Sequence, residues 1–392
     1  MNKKNSAVIL GASITGLSLA RSLGRAGVMV FSLDFDTIDN TFWSRYGKKH
    51  VLPNGLAGEK LAQYIKDFGA GFVEKPVLYA DRDEYVFLLS KHRKLLEPFF
   101  RLCLPEHDKI ELVNNKASLA EEAKKNGIGV PEMMVVKGGD IDFTEESQWN
   151  FFPAVIKPLY GYMVFTGAGF KTEIIKDKKQ LLQMVSKQCT SGMPHLIQEM
   201  IPGSDENVVS VCCYISRSCK PLGVSSFKKI CQSPEGNGIG ILVKSEFLPI
   251  SLEERLVRFL CDIGFYGLAE AEFKLDENDG QYKLIEINTR PWLQIDLAAR
   301  CGCNLGYISF ADLCGLSETE TVKKPANAGM YWVFELPFIN HVIRKKKHIC
   351  HLLHMIPGPG FMKRVCPAIF AFDDPGPFIR YLRNVFFKKT EE

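Results

Sequence analysis

Polar side chains near the end of segment 267–292 occupy every second position, as side chains on one face of a β-strand do. They are Glu286, Asn288 and Arg290. Glu270 and Glu272 have the same spacing earlier in the segment. Carboxylates and an amide oxygen are hard ligands of the kind that Mg²⁺ takes together with substrate phosphates. An adjacent arginine suits a phosphoryl group or an acyl phosphate.

The elements that must position these groups are two strands joined by the polar turn 276–280. Ile285, Ile287 and Thr289 alternate with the polar residues, so the second strand is predicted to have one polar and one apolar face. A half-buried hairpin with a solvated charged face would show the same alternation. Upstream features favour the metal site.

A lysine lies upstream where phosphates could bind. After the helical stretch 114–127, Lys157 ends the short apolar strand 152–158. A glycine-bearing loop, 161–169, follows this lysine. An ammonium group at a strand end supplies charge, and loop amides supply donors for phosphates. A solvated surface lysine is the alternative interpretation.

The segment 195–206 leads into an apolar strand at 208–214. A strand whose chain then turns away leaves backbone donors and acceptors free to bind an adenine edge. Glu206, just before the next strand, suits the ribose hydroxyls.

The N-terminus predicts a β-α-β unit of a parallel sheet, with strands at 7–10 and 28–33 around a helix at 17–24. A nicotinamide-binding turn would need three glycines and a later acid. Asp34 fits the acid, but Ser13 occupies the position of the middle glycine. The turn therefore favours packing or substrate contact over dinucleotide binding.

Composition restricts the class of protein. The 392 residues carry a net charge of +4, with 46% hydrophobic and 24% charged residues, which does not indicate a nucleic-acid partner. No apolar run reaches the ~18 residues of a membrane span. The twelve cysteines are scattered without zinc-type spacing, so we expect reduced core thiols and a cytoplasmic protein.

With these pieces in order, the chain resembles the ATP-grasp superfamily over roughly residues 5–315. The motifs are the leading β-α-β domain, Asn-Asn-Lys at 114–116 before a helix ending in Gly-Val-Pro, Pro-Ala-Val-Ile-Lys-Pro at 153–158, Ile-Gln-Glu-Met-Ile-Pro-Gly at 197–203, Glu-Phe at 272–273 and Glu-Ile-Asn-Thr-Arg at 286–290. More narrowly, it is similar to the carboxylate–amine ligase branch that contains D-aspartate ligase. That similarity rests on segments 13–16, 76–84, 89–93 and 227–234.

The resemblance implies an α/β (α+β) fold in three parts. A Rossmann-like pre-ATP-grasp domain would span 1–112, a two-lobed ATP-grasp domain 113–325 and a C-terminal extension 326–392. The small lobe would span about 120–197 and the large lobe about 198–325.

It also implies ATP and Mg²⁺ (or Mn²⁺) as cofactors. The implied nucleotide residues are Lys116 and Lys157 on the phosphates, Gln198, Glu199 and the backbone near Met200 on adenine, and Glu206 on ribose. The implied metal ligands are Glu272, Glu286 and Asn288, with Arg290 on the acyl phosphate and Lys228 or Lys229 near the γ-phosphate. The loop 161–169 departs from the glycine-dense loops of the family because aromatic residues are inserted.

The implied activity is ATP-dependent ligation of a carboxylate to an amine, or to a thiol, through an acyl phosphate. Its substrates would be small molecules, such as an amino acid or a precursor of a cell-surface polymer, and a homo-oligomer stays open. Two alternatives are an ATP-binding regulatory protein without turnover and an NAD-dependent dehydrogenase. The full metal set argues against the first, and Ser13 against the second.

The C-terminal tail joins basic and aromatic residues at helical spacing. They are Arg344–Lys347, Phe378, Arg380, Tyr381, Arg383 and 386–389. A helix packed on the core would produce this pattern, and so would weak contact with an anionic membrane surface. The second interpretation would place the enzyme peripherally at the inner face of the membrane.

Overall fold

The computed structural model describes residues 5–35, 40–136, 149–159, 172–188, 194–236, 238–316, 322–354 and 364–387. By its internal contacts the chain forms two units. The first unit comprises Met1–Ile110, Ser210–Glu270 and Asn288–Glu392, and the second unit comprises Glu111–Val209 and Ala271–Ile287. The domain boundaries implied by the resemblance stay a prediction.

The strands of the described residues are β1 Ser6–Leu10, β2 Met29–Asp34, β3 Gly47–Val51, β4 Val77–Ala80, β5 Arg101–Leu102, β6 Met133–Val136, β7 Ala154–Pro158, β8 Glu173–Ile175, β9 His195–Glu199, β10 Val208–Ile215, β11 Pro221–Ser233, β12 Ile239–Ser245, β13 Gly267–Leu275, β14 Tyr282–Asn288, β15 Tyr331–Val333 and β16 Val365–Pro367. The α-helices are α1 Ile14–Arg25, α2 Gly58–Ala70, α3 Asp83–Lys91, α4 Arg93–Leu96, α5 His107–Asn114, α6 Lys116–Lys125, α7 Lys178–Gln188, α8 Ile250–Asp262, α9 Ile295–Arg300, α10 Leu305–Leu313, α11 Glu335–Lys345, α12 Ile349–His354 and α13 Gly376–Phe387. Single-turn 3₁₀ helices span Asn40–Trp43 and Asp205–Asn207.

The N-terminal sheet is parallel, with the strand order β3-β2-β1-β4-β5. Every residue of β1 is buried, as expected for a central parallel strand that is covered on both faces. Ser13 begins α1 by accepting a hydrogen bond from the Thr15 N–H, a standard helix cap. The predicted β-α-β unit is confirmed.

An antiparallel sheet forms the centre of the second unit, in the order β6-β9-β7-β8. Its core contains Ile156, Leu181 and Ile197, so α7 packs its apolar residues against the sheet. In the ladders, Lys157 lies opposite Leu196 and Gln198 lies opposite Met133. The sheet thereby fixes the predicted phosphate and adenine motifs relative to each other.

The third sheet is mixed, in the order β14-β13-β10-β11-β12-β15-β16. Its β11–β12 and β12–β15 pairs are antiparallel, whereas β15 and β16 are parallel. The predicted hairpin is present as β13 and β14. Parallel and antiparallel sheets together confirm the α/β (α+β) fold class.

The C-terminal extension is built into the first unit. Arg21 of α1 forms an ion pair with Asp374 at 2.9 Å, and both side chains are almost fully buried. Phe378 and Tyr381 of α13 pack against the core that contains β1 and α1. These two rings face the protein, so they lend no support to the predicted membrane contact. Lys388 and Lys389 lie outside the described residues.

No helix within the described ranges has both the length and the apolar character needed to cross a membrane.

Candidate active site

Two carboxylates and two ammonium groups come together in the second unit. Glu272 lies on β13 and Glu286 on the neighbouring β14, while Lys116 begins α6 and Lys157 lies near the end of β7. All four are partly buried, and Lys157 interacts electrostatically with the other three. We name these residues the charge cluster.

At Lys157, the effects that disfavour the charged ammonium group outweigh the attraction of the two carboxylates. Burial and the nearby Lys116 lower the pKa of Lys157 to about 8, against the opposing effect of Glu286 and Glu272. The protonated lysine is therefore less stable here than in water. A polyanion that carries a divalent cation would complement both halves of the cluster, since its charges can pair with ammonium and carboxylate groups together.

Local sequence explains why Lys116 lies beside Lys157. The Asn115 side chain caps α6 by accepting hydrogen bonds from the N–H groups of Ala117 and Ser118. The Lys116 N–H donates to the Leu159 carbonyl, directly after β7, at 3.5 Å. The start of α6 is thus held at the end of β7.

The predicted adenine residues end β9. The Glu199 N–H donates to the Glu132 carbonyl at 2.8 Å, and the Met200 N–H donates to the Pro153 carbonyl at 3.0 Å. Gln198 is buried, and its Oε1 accepts no hydrogen bond from the described residues. Gln198 therefore offers a buried acceptor that a ligand donor would satisfy, whereas these backbone donors are already engaged.

The predicted ribose residue, Glu206, is exposed in the turn Asp205–Asn207. The Asn207 Nδ2 donates to the Leu275 carbonyl at 3.2 Å, which anchors this turn to the end of β13.

Lys274 is a charged residue of β13 that sequence reasoning missed. It lies two positions after Glu272, so both side chains share one strand face. Burial lowers the pKa of Lys274 against the opposing effect of several carboxylates, of which Asp205 is the strongest. The alternation that identified Glu272 also includes Lys274 and could have found it.

Hydrogen bonds in the first unit join Ser210, Glu270, Asn288, Arg290 and Asp83. The Ser210 Oγ and the Asn288 Nδ2 donate to the two oxygens of Glu270 at 3.2 and 3.1 Å. Arg290 Nη2 lies 3.4 Å from the Asn288 Oδ1. Glu270 therefore holds the amide of Asn288 by its nitrogen, while its Oδ1 accepts from the guanidinium of Arg290.

Arg290 has a carboxylate partner that the sequence did not indicate. Its Nε donates to the Asp83 Oδ1 at 2.6 Å, and the two residues are 207 positions apart. Burial opposes the charge of Arg290, but Asp83, Glu270 and Asp81 outweigh this effect, and its pKa is raised. The guanidinium is thus fixed in its charged form.

The two lysines of β11 differ in their surroundings. Lys229 is buried, and its Nζ donates to the Gln232 Oε1 at 3.1 Å. Lys228 is partly buried and lies opposite Lys244 in the ladder with β12. Neighbouring strand residues point to opposite faces. Which of the two lies near a phosphate stays a prediction.

Carboxylates bind the amides of the glycine turn after β1. The Ala12 N–H donates to Asp34 at 2.8 Å and the Ser13 N–H donates to Asp81 at 2.9 Å. Gly11 has a φ of +110°, and a Cβ at this position would overlap Asp81. A dinucleotide site needs this turn for the pyrophosphate. The arrangement therefore argues against the dehydrogenase alternative.

A cavity of about 660 Å³ lies at the carboxyl ends of β2 and β4, the edge at which parallel sheets bind ligands. Its lining consists of Asp34, Phe35, Leu56, Ala57, Gly58, Leu61, Arg82, Glu84, Tyr85 and Leu88. Arg82 pairs with both Asp34 and Asp81 at 2.9 Å. The cavity thus offers charges of both signs beside apolar surface.

The predicted phosphate loop 161–169 lies outside the described residues. Contacts between its amides and phosphates therefore stay a prediction.

Comparison with known proteins finds relatives both in sequence and in fold. No protein-family model matches the chain. D-Aspartate ligase from Enterococcus faecium is 23% identical over 298 residues, which cover 72% of this chain and 70% of that protein. The sequence similarity to this ligase bears out the resemblance.

Two solved structures illustrate the shared fold. The biotin carboxylase domain of Hydrogenobacter thermophilus 2-oxoglutarate carboxylase, a dimer solved with MgADP and bicarbonate, has a TM-score of 0.64 and 14% identity over 84% of this chain and 74% of its own. L-Amino acid ligase from Bacillus licheniformis has a TM-score of 0.61 and 14% identity over 84% of this chain and 79% of its own. These matches confirm the ATP-grasp fold.

Proposed function

We propose that this chain, which has the ATP-grasp fold, is an ATP-dependent ligase that joins a small-molecule carboxylate to an amine through an acyl phosphate. One relative in sequence is named as a ligase, D-aspartate ligase, and one structural neighbour was solved with MgADP. The proposal comprises the cofactors ATP and Mg²⁺, the residues that hold them, and the order of the chemical steps.

The charge cluster is the observation that carries the proposal. Lys157 is partly buried next to a second lysine, and its pKa is lowered to about 8. A fold gains no stability from such an arrangement. The phosphates of a nucleotide would stabilise both ammonium groups, so the cluster is understood best as half of a binding site.

The metal ligands fit Mg²⁺ by their chemistry. Glu286 and Asn288 lie two positions apart on β14, and Glu272 lies on the adjacent β13. Two carboxylates and one amide oxygen, with phosphate oxygens completing the shell, are typical of Mg²⁺ or Mn²⁺ bound with a nucleotide. When bound, the ion would neutralise phosphate charge.

The nucleotide residues follow from the same reasoning. Lys116 and Lys157 bind phosphates, Gln198 accepts from adenine through its buried Oε1, and Glu206 takes the ribose hydroxyls. Glu199 positions the adenine edge through its bonds to Glu132. Since the Met200 N–H already donates to Pro153, the contribution of Met200 is limited to its carbonyl and side chain.

The reaction follows from the charges. A carboxylate is a poor electrophile because its charge is delocalised over two oxygens. Transfer of the γ-phosphoryl group to a carboxylate oxygen releases ADP and forms an acyl phosphate. The amine then attacks the acyl carbon, phosphate leaves, and the amine loses a proton. Lys116, Lys157 and Arg290 reduce the repulsion between the two anions, so positioning and electrostatics supply most of the catalysis.

Arg290 is the residue proposed to steady the acyl phosphate. Its planar guanidinium donates from Nε and Nη2 to the carboxylate of Asp83. The same two-point geometry can bind a phosphoryl or carboxyl group. Lys228 or Lys229 would add charge near the γ-phosphate.

The cavity beside β2 and β4 supports an amino acid as one substrate. Arg82 and Glu84, which pair with each other at 3.7 Å, bring both signs of charge to the cavity, so a zwitterion could exchange with this pair. Leu56, Leu61 and Leu88 provide apolar surface for a side chain. We assign one of the two substrates to this cavity.

A screen for release of ADP and phosphate tests the proposal. Amino acids and other small carboxylates are offered in pairs with amines and Mg²⁺-ATP, and hydroxylamine is added in parallel to trap the acyl phosphate as a hydroxamate. We expect ADP release that depends on one acid, and a hydroxamate of that acid. Arg290→Lys should lose most of this activity, because an ammonium group cannot reproduce the two-point geometry.

Other outcomes separate the alternatives. Tight Mg²⁺-ATP binding without ADP release for any pair, and without hydroxamate, would indicate a regulatory protein. Tight NAD binding without Mg²⁺-ATP binding would indicate a dehydrogenase. Release of ADP with thiols but not with amines would show that the second substrate is a thiol and not an amine.

A further inference from the structure

Histidines are concentrated in one part of the C-terminal extension. The chain has eight histidines, and four of them lie between positions 341 and 354. They are His341, His348, His351 and His354. The ATP-grasp chemistry proposed above uses none of them.

The fold brings two of these histidines to a buried thiol. Cys231 lies on β11 where the ladder with β12 is irregular, His341 lies on α11, and His348 lies between α11 and α12. One ligand atom of each residue, the Cys231 Sγ and a ring nitrogen of each histidine, lies within 4.8 Å of the other two. Cys231 lies more than a hundred positions before the two histidines in sequence, and all three residues belong to the first unit.

We propose that Cys231, His341 and His348 bind a zinc ion. A thiolate with two imidazoles is a soft and borderline ligand set, which favours Zn²⁺ over Mg²⁺ or Ca²⁺. Zinc lies about 2.0–2.1 Å from nitrogen and about 2.3 Å from sulfur. In a tetrahedral site the donor atoms would therefore be roughly 3.3–3.6 Å apart, so the observed group needs to contract by no more than about 1.5 Å.

The surroundings suit a closed site. Cys231 is fully buried in an apolar cluster with Ile230, Val342 and Val365, which restricts the access of water. The ring of His351 lies 5.7 Å from the ring of His348, so a further imidazole adjoins one of the three ligands. His348 has a φ of +59°, a conformation that residues other than glycine rarely adopt unless their surroundings require it. Here it places the ring of His348 5.8 Å from that of His341.

Nearby positive charge sets a limit on affinity. Arg344–Lys347 lie between the two histidines in sequence, and Lys347 pairs with Glu235 at 2.7 Å. Loss of the thiol proton on binding offsets one charge of the ion, leaving the site with a net charge of +1. Zinc would join the α11–α12 connection to β11, beside the Lys347–Glu235 ion pair.

Metal binding to the full chain tests the inference. The purified protein is stripped with a chelator, and Zn²⁺ is titrated in competition with a chromophoric chelator, with Mg²⁺-ATP present to occupy the other cation site. We expect one zinc per chain and a higher melting temperature with zinc. Co²⁺ in place of zinc should give a thiolate-to-cobalt charge-transfer band in the near ultraviolet and the visible bands of tetrahedral cobalt.

Matched variants identify the ligands. Cys231→Ser should remove the charge-transfer band, and His341→Gln or His348→Gln should weaken zinc binding by at least about tenfold. Cys213→Ser is the control, because Cys213 is equally buried on β10 but lies outside the group. If Cys231→Ser fails to fold, His348→Gln carries the test, since His348 is only partly buried. Absence of stoichiometric zinc in the unaltered protein, a cobalt complex without the thiolate band, or unchanged affinity in the histidine variants would each overturn the proposal.

Discussion

Two groups of charges in this chain are built in opposite ways. In the first unit, Arg21 and Asp374 are almost fully buried and well paired: the guanidinium donates to Asp374 and to the carbonyls of Ala368 and Ile369, and Asp374 also accepts from Ser44. In the second unit, Lys157 is crowded by a second lysine and its pKa is lowered. The first group is complete within the protein, whereas we propose above that the second is completed by a ligand.

The difference teaches how to separate stability from function. A buried charge that has partners on every side contributes to holding elements together, and removing one partner leaves an uncompensated charge. A buried charge that lacks compensation costs stability and is retained where binding needs it. Substitutions in the first group should therefore lower the stability of the fold, whereas substitutions in the second group should weaken ligand binding or activity.

The largest expected effect is on stability, at the complete pair. Asp374→Asn leaves the buried Arg21 charge uncompensated and should lower the free energy of unfolding by about 3–5 kcal/mol. Chemical denaturation measures this loss. Glu122→Gln is the control, since Glu122 is only partly buried, its partner Lys125 is exposed, and the pair should contribute no more than about 1 kcal/mol. A loss at Asp374 as small as that at Glu122 would contradict the proposed role of the pair.

The next effect is on activity, in the charge cluster. Glu286→Gln keeps the shape of the side chain but removes a charge proposed to bind Mg²⁺, and it should lower kcat by about 10²–10³-fold. The melting temperature should change little, because Glu286 is partly buried on a polar strand face. Glu277→Gln, on the exposed turn of the same hairpin, is the control. Near-normal turnover by Glu286→Gln at saturating Mg²⁺ would make the metal assignment wrong.

The smallest effect concerns Lys157 and pH. Lys157→Met should weaken ATP binding by roughly tenfold or more, since a charged hydrogen bond to phosphate is lost. The same variant should be no less stable near pH 7, because the lysine pKa is lower in the folded chain than the ordinary value of about 10.4. Between about pH 8 and pH 10 the folded state binds fewer protons than the unfolded state. The stability that the charged lysine removes at neutral pH is therefore regained as pH rises through this range.

Titration calorimetry at several pH values checks the ligand side of this prediction. ATP affinity of the unaltered protein should fall between pH 7.5 and 9.5 as Lys157 loses its proton, whereas Lys157→Met should show a flatter dependence. Lys124→Met, at an exposed position, should behave like the unaltered protein. Equal pH dependence in all three proteins would rule out titration of Lys157 as the cause.

The sequence predicted those parts of the site whose residues share one element. Period-two spacing predicted the strand faces that carry Glu272, Glu286 and Asn288, because a strand converts spacing directly into a common face. A short apolar run predicted the strand that carries Lys157. It gave no signal for Asp83 as the partner of Arg290, or for Asp374 as the partner of Arg21, since hundreds of positions separate them. For the turn after β1 the sequence left packing and substrate contact open, and the fold places Asp34 and Asp81 against its amides.

Cysteine spacing in the sequence also could not predict the proposed zinc ligands. Local pairs were tested for zinc, and none fitted, but Cys231 meets its histidines only because α11 and the segment after it pack beside β11. For the aromatic residues of α13 the sequence left two interpretations open, packing on the core and contact with a membrane surface. Helical spacing identifies a face, and only the fold decides what that face contacts.

The lowered pKa of Lys157 also has a consequence for chemical labelling. With a pKa of about 8, roughly a fifth of this side chain is a neutral amine at pH 7.4, against roughly a thousandth for an ordinary lysine. Neutral amines are the nucleophiles that activated esters and sulfonyl fluorides modify. Lys157 should therefore be acylated ahead of the exposed lysines wherever the reagent can reach it, and its protection by nucleotides would map the site without a functional assay or a known substrate.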